Sequence, residues 1–326
     1  MGLHFSPGVV RVYVRIFVGG DPKNSLILKG TGGLSDMKKI MGLSAGLCVV
    51  LSGIGVMAAQ DMAGVSAPPK VLVIQREFVK PGKAGSLHDK SESAFVQAFT
   101  AAKWPTHYFA AESLSGRPRV LFIQGYSSFE SWEKDNLAMQ KNATLSAALS
   151  RAQLSDGELL NDYEQSVFTF DEDHSLRAGS IVHSRYFEIS QYRIKPGHRS
   201  EWVELMKLYH DGYEKASPNL NWAVYEGYYG QNNGGLYLAI SRMTSLAEDD
   251  QSMGDPKKFA DVMGEDGMKK IRELTAACIE SEETNLFAFN PKMSYPSEEW
   301  VKADSFWKPA APMMKKLVAA PAPVAP

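Results

Sequence analysis

Cysteine is almost absent: the 326 residues contain two, Cys48 and Cys278. That scarcity excludes a disulfide framework, a cysteine-based zinc site and a Cys-x-x-Cys-His haem attachment. Cys278 lies in an apolar helical stretch and reads as a small core residue rather than a nucleophile. Excess charge is missing as well, since 35 basic and 37 acidic side chains leave a net charge of −2 and no basic run. Such a chain lacks the electrostatic footprint of a nucleic-acid-binding protein. Motifs of catalysis are also wanting. There is no Gly-rich phosphate loop, no Gly-x-Ser-x-Gly elbow and no His-Glu-x-x-His. The acidic run Asp171-Glu172-Asp173-His174 lacks the alternating spacing of a calcium loop and reads as a charged linker.

What is present begins with ordinary globular composition, 44% hydrophobic and 22% charged, in a length that suits about two domains. At Met37, two lysines precede an uncharged apolar run from Ile40 to Ala59 that ends in Val56-Met57-Ala58. Basic, apolar and small-residue regions in that order predict a cleaved secretory signal over 37–59, hence a periplasmic or secreted protein. Glycines and serines within the run, among them Gly42, Ser44, Gly46, Ser52 and Gly53, disfavour a permanent membrane anchor, and Leu47 disfavours a lipoprotein site at Cys48. Residues 1–36 are then expected to be a mis-called upstream extension, with translation starting at Met37. Removal of residues 1–59 takes away six basic and two acidic side chains and leaves a mildly acidic chain of net charge −6.

The rest of the chain repeats itself. Val79-Lys80-Pro81-Gly82 matches Ile194-Lys195-Pro196-Gly197, Tyr126-Ser127-Ser128-Phe129 matches Met243-Thr244-Ser245-Leu246, and Val167-Phe168-Thr169-Phe170 matches Leu286-Phe287-Ala288-Phe289. Three anchors in the same order, at slowly drifting offsets, indicate a duplication. Each copy reads as a strand into a Lys-Pro-Gly turn, a helix, a hairpin, a split helical region and a closing strand. The hairpins are Thr106–Ala111 with Val120–Gly125, and Trp222–Tyr228 with Leu236–Arg242. The closing strands are Ser166–Phe170 and Asn285–Phe289. Ser127-x-x-Glu130 and Ser245-x-x-Glu248 have the capping-box pattern, with new helix starts expected at Ser155 and Asp255. The first helix of copy two carries Trp202, Leu205, Met206, Tyr209 and Tyr213 on one stripe. That of copy one does so more weakly with Leu87, Ala94, Phe95, Ala98, Phe99 and Ala102.

The order βαββαβ predicts the α+β class, two tandem ferredoxin-like units whose antiparallel sheets pack their bare faces into one barrel. The expected units are 70–171 and 186–290, joined by a linker at 172–185. A C-terminal extension at 291–309 would lay Trp300, Phe306 and Trp307 against the barrel, before an Ala/Pro-rich tail at 310–326. Tyr192-Arg193-Ile194-Lys195-Pro196-Gly197, followed by a helix containing Trp202, resembles the start of domains in the dimeric α+β barrel superfamily, especially its NIPSNAP-like and antibiotic-biosynthesis-monooxygenase-like branches. The resemblance covers roughly residues 70–290. It implies a fold shared by cofactor-independent oxygenases, isomerases and haem-handling enzymes, and no catalytic set of theirs matches residue by residue.

A barrel interior is a natural ligand cavity. Candidate ligand-binding residues are Trp104, Tyr108, Trp222, Tyr225 and Tyr228, with His107 as the candidate base and His210 or His107 as a candidate haem ligand. His174, His183 and His198 are expected to be solvated. His88 with Glu92 and His210 with Glu214 share helical faces and are expected to be surface pairs. Three readings stay open: a barrel that binds a small apolar or aromatic molecule and acts on it without a cofactor, a haem-binding barrel, and a packed barrel working through surface contacts. Because both copies share one chain, a monomer and a homo-oligomer are both allowed, with no nucleic acid or membrane as partner.

Overall fold

The computed structural model describes residues 14–17, 25–28, 68–230 and 235–308. The signal segment 37–59 and the tail 310–326 lie outside the described residues, as does most of the stretch 1–36. Within that stretch, β1 (Val14–Phe17) and β2 (Ser25–Leu28) form an antiparallel pair, with Val14 opposite Leu28, in a unit of its own.

The second unit contains the duplication. Copy one runs β3 (Val71–Val79), α1 (Ser86–Ala102), β4 (Tyr108–Ser113), β5 (Val120–Tyr126), α2 (Phe129–Lys141), α3 (Ala143–Gly157) and β6 (Leu160–Leu176). Copy two runs β7 (Tyr186–Ile194), α4 (Arg199–Ala216), β8 (Trp222–Tyr229), β9 (Leu236–Met243), α5 (Ala247–Ser252), α6 (Asp255–Cys278) and β10 (Ile279–Tyr295). Both Lys-Pro-Gly turns are present, and Gly82 and Gly197 supply the positive φ (75° and 86°) that they require. The hairpins fall where the sequence places them, give or take two residues.

Each copy forms an antiparallel sheet in the order second, third, first, fourth strand, and the fourth strand of each pairs with the second strand of the other. Phe168 of β6 lies opposite Gly227 of β8, and Phe289 of β10 lies opposite Ala111 of β4. The eight strands therefore close into one barrel. Alternation along each strand sorts side chains into two layers. Leu72, Ile74, Phe109, Ile123, Phe168, Phe187, Leu238 and Phe287 fill the interior. Their neighbours face outward to the helices: Val71 and Val73 towards α2, Tyr108 and Phe122 in the cluster of α1 and α3, and Val224 and Tyr237 in that of α4 and α6.

Three expectations need correcting. The fourth strands are far longer than Ser166–Phe170 and Asn285–Phe289, at 17 residues each. Their polar ends, such as Asp162–Gln165 and Glu280–Thr284, fall outside the expected strands, yet they pair with β3 and β7 where the barrel rim meets solvent. The capping box of α2 is Ser128 with Ser131, one residue later than expected, and α5 has no side-chain cap. The second helical region of copy one splits at Asn142, whose side chain accepts from the Leu145 N–H; Ser155 lies inside α3. After β10, α7 (Glu298–Ala303) and the 3₁₀ turn 305–307 fold back, and Trp307 donates to the Val182 carbonyl (2.6 Å) while Trp300 stacks on Phe109.

Helices α4 and α6 approach closely at Gly212, where a Cβ would lie 2.4 Å from the Phe259 ring and 2.8 Å from Met263 Sδ. The contact is set by size and not by backbone conformation. Gly212→Leu is expected to destabilise the chain by about 2 kcal/mol through overpacking, read as a lower urea midpoint at unchanged slope.

Candidate functional site

The interior is not filled throughout. At the end of the barrel where β3 and β7 begin, a cavity of about 400 Å³ remains. Leu72, Phe109, Ile123, Phe187, Ile240 and Phe289 supply its apolar wall. Its polar groups are fewer: Ser127, Ser180, Asn221, Lys70 and Arg242, with Ala178–Ile181 of the inter-copy segment across the opening. Tyr225 also lines it, with its hydroxyl donating to the Pro69 carbonyl at 3.2 Å, and burial holds that phenol well above its ordinary pKa. Arg242 donates through Nη2 to the Arg177 carbonyl, whereas its buried Nε has no hydrogen-bond partner. The lining contains no carboxylate and no imidazole among the described residues.

Of the residues singled out from the sequence, Tyr225 alone reaches this cavity. Trp104 lies on the helix-facing side, where its Nε1 donates to Asp135 (3.0 Å), which also accepts from Thr106 (2.6 Å) and Tyr126 (3.0 Å). Trp222 likewise faces the helices and donates to the His174 carbonyl, and Tyr228 is exposed against Phe129. His107 sits at the start of β4 against the Tyr295 ring (4.7 Å) and borders a crevice of only about 10 Å³ with Trp300. His210 is a quarter exposed on α4, its Nδ1 3.2 Å from the Asp211 carboxylate, and Glu214 is not its partner. Among the described residues no imidazole opens onto the cavity, so they do not fit a haem with a histidine ligand there.

His183 and His198 are well exposed, in line with expectation. His174 is not: β6 continues through it, its side chain is 15% exposed, and Nδ1 lies 2.8 Å from Asp171. The hydrogen bond with Asp171 raises the His174 pKa. Burial opposes ionisation of Asp171, but the bond from His174 prevails and lowers its pKa. The Asp171 contribution to stability is present above its ordinary value of 3.8 and is lost as pH falls. The His174 contribution is complete below 6.5 and is lost as pH rises through the raised value. Thermal scans from pH 6 to 9 are expected to show a falling midpoint that flattens in Asp171→Asn.

The surface-pair expectation for His88 and Glu92 is overturned. Both are buried, at 1% and 3% exposure, while Leu87, expected on the apolar stripe, is half exposed. The stripe of α1 is rotated so that its polar pair faces the sheet. There His88 Nε2 meets three carboxylates: Glu77 of β3 at 3.1 Å, Asp156 of α3 at 3.4 Å and Glu92 at 3.8 Å. Burial and the neighbouring Glu77 and Asp156 charges push Glu92 well above the usual carboxylate range. Burial likewise raises Glu77. His88 is depressed by burial, but the adjacent Asp156 and Glu77 carboxylates outweigh this and bring it to about 9. Tyr108 belongs to this neighbourhood, because burial and then the Glu92 and Glu77 charges hold its phenol far above its ordinary value. Sequence reasoning missed Glu77 and Asp156. The available signal was the repeat, which sets Glu77 against Tyr192 at the 115-residue offset of the Lys-Pro-Gly anchors.

No family model matches the chain, and no curated protein is similar to it in sequence. Among solved structures, it is similar to an anthrone oxidase-like protein at 16% identity, over 68% of this chain and 92% of that one, with a TM-score of 0.44. It is similar to a candidate monooxygenase from Fusobacterium nucleatum at 13% identity, over 68% and 93%, with a TM-score of 0.45. A variant chlorite dismutase from Candidatus Nitrospira defluvii shares 11% identity over 74% and 99%, with a TM-score of 0.43. The eight strands close into an α+β barrel by exchange of fourth strands between two βαββαβ units of a single polypeptide, as the sequence predicts.

Proposed function

We propose that the barrel binds a small aromatic or apolar molecule carrying one acceptor oxygen, such as a carboxylate or a carbonyl. The cavity at the β3 and β7 end carries this reading, because its volume is within the range of small-ligand sites and its wall is mostly aromatic and aliphatic. Arg242 is the polar element suited to the acceptor, with Nε still to be paired. The absence of a carboxylate or imidazole from the lining favours binding over general-base catalysis, and it leaves His107 without a substrate to act on.

2-Naphthoate is a suitable probe, and calorimetry is expected to detect 1:1 binding. Ala223→Trp, which fills the cavity from β8, should abolish it, and Tyr228→Ala, on the exposed side of the same strand, should leave it intact. Arg242→Met should weaken 2-naphthoate about tenfold while leaving neutral naphthalene nearly unchanged. Equal binding by Ala223→Trp and the parent chain would sink the cavity reading.

The same proposal includes export, supported by the basic, apolar and small-residue order from Lys38 to Ala59. Expression of the full chain in a bacterial host, followed by N-terminal sequencing of the periplasmic fraction, should give a start close after Ala59. A cytoplasmic product that begins upstream of Met37 would contradict it.

A further inference from the structure

The buried quartet of Glu77, His88, Glu92 and Asp156 has no place in the cavity reading, and its composition is unusual for a helix–sheet interface. Three carboxylates and one imidazole lie at 7% exposure or less, with His88 the single basic side chain among them. One N–H on Nε2 can serve one carboxylate, yet three converge on it. Glu92 Oε1 and Asp156 Oδ1, each on a side chain more than nine-tenths buried and aimed into the cluster, are left without any hydrogen-bond donor. Burying such groups unpaired is costly, and a bound cation would offset that cost.

The duplication provides a control within the molecule. Between the first strand, first helix and last helix of copy two, the same space is packed with Tyr192, Trp202, Met206, Leu274 and Cys278, and Tyr192 lies 5.2 Å from the Trp202 ring. The fold therefore needs no charge at this position. Copy one has a matching deficit, since α1 buries only Phe99 besides His88 and Glu92, and α3 buries only Leu145 and Ala152 besides Asp156.

We propose that the quartet binds one divalent first-row transition-metal ion, of the Zn²⁺ or Mn²⁺ kind, through His88 Nε2 and one oxygen from each of Glu77, Glu92 and Asp156. Metal–ligand distances of about 2.0–2.2 Å place neighbouring ligands about 3.0–3.5 Å apart. The observed 3.1, 3.4 and 3.8 Å from the imidazole need little adjustment to meet this, and all four ligand atoms lie within 4.8 Å of one another. An imidazole with three carboxylates suits such ions better than Ca²⁺, which takes six to eight oxygens. The ion ties β3, α1 and α3 together where copy two uses an apolar cluster. Ser91 and Ser155, chain neighbours of Glu92 and Asp156, line a groove between α1 and α3.

The test uses the whole chain, purified, stripped with a chelator and titrated with ZnCl₂ and with MnCl₂. Calorimetry is expected to show one site per chain for at least one ion, and the same ion should raise the thermal midpoint. Co²⁺ should give visible d–d absorption from a nitrogen and oxygen ligand set. Glu92→Gln and Asp156→Asn, each of which keeps the shape of the side chain, should fold and should weaken binding by at least about 100-fold. Absence of a stoichiometric site in the parent chain overturns the proposal whatever the variants do, and so does binding that both variants leave unchanged. Ala223→Trp should not affect it, which separates this site from the cavity.

Discussion

Exchange of the fourth strands between the two copies is the constraint on which the molecule depends. Each four-stranded sheet alone would end in an open edge at its second strand and another at its fourth, and both edges would be free to pair with other chains. Because β6 pairs with β8 and β10 with β4, every one of these edges is satisfied inside one polypeptide. The exchange dictates strand length as well: a strand that serves two partners, offset along its axis, must be long enough for both, and β6 and β10 are. It also settles which faces meet. Once the edges are joined, one face of every strand points into a closed space and the other must be covered by helices.

Two kinds of interior follow from that closure. Inside the barrel, aromatic side chains from both copies interdigitate, as with Phe109 against Phe187 and Phe289, and the packing runs out near the end where β3 and β7 begin. Outside, each copy has its own helix–sheet interface and solves it alone. Copy two uses large apolar side chains and a close helix crossing at Gly212, whereas copy one concentrates its polar groups there, in the Asp135 hub and in the quartet around His88. The barrel is shared and symmetric in pattern, but the helical layers have diverged in chemistry.

This division explains what could be read from sequence. Strand order, the duplication and the placement of Trp300 and Trp307 were legible because alternation, turn chemistry and repeat spacing are local signals. The site was legible only in Tyr225. Trp104, Tyr108 and Trp222 are aromatic residues near strand starts, but a one-residue difference in phase sends a side chain to the helices rather than to the cavity. Their phase follows from the register of exchanged strands, which is a long-range property. The cavity wall itself includes Leu72, Ile123 and Ile240, which are indistinguishable in sequence from core.

The quartet was hidden for the opposite reason. His88 and Glu92 at a four-residue spacing look like any solvated helical pair, and Asp156 lies near the end of a polar stretch. Their burial follows from the face that α1 turns to the sheet, and that face is chosen by the whole interface: exposing Leu87 is tolerated so that Phe99 can pack, which carries His88 and Glu92 inward with it. A purely structural account would expect drift at such a position towards the apolar set that copy two displays, since replacing buried ionic groups by packed apolar ones is often neutral or stabilising. Glu77, from a strand that also turns Val71, Val73 and Val79 to the helices, instead completes the cluster from the far side. Three elements contribute acceptors to one imidazole nitrogen, and a bound cation would satisfy all of them at once.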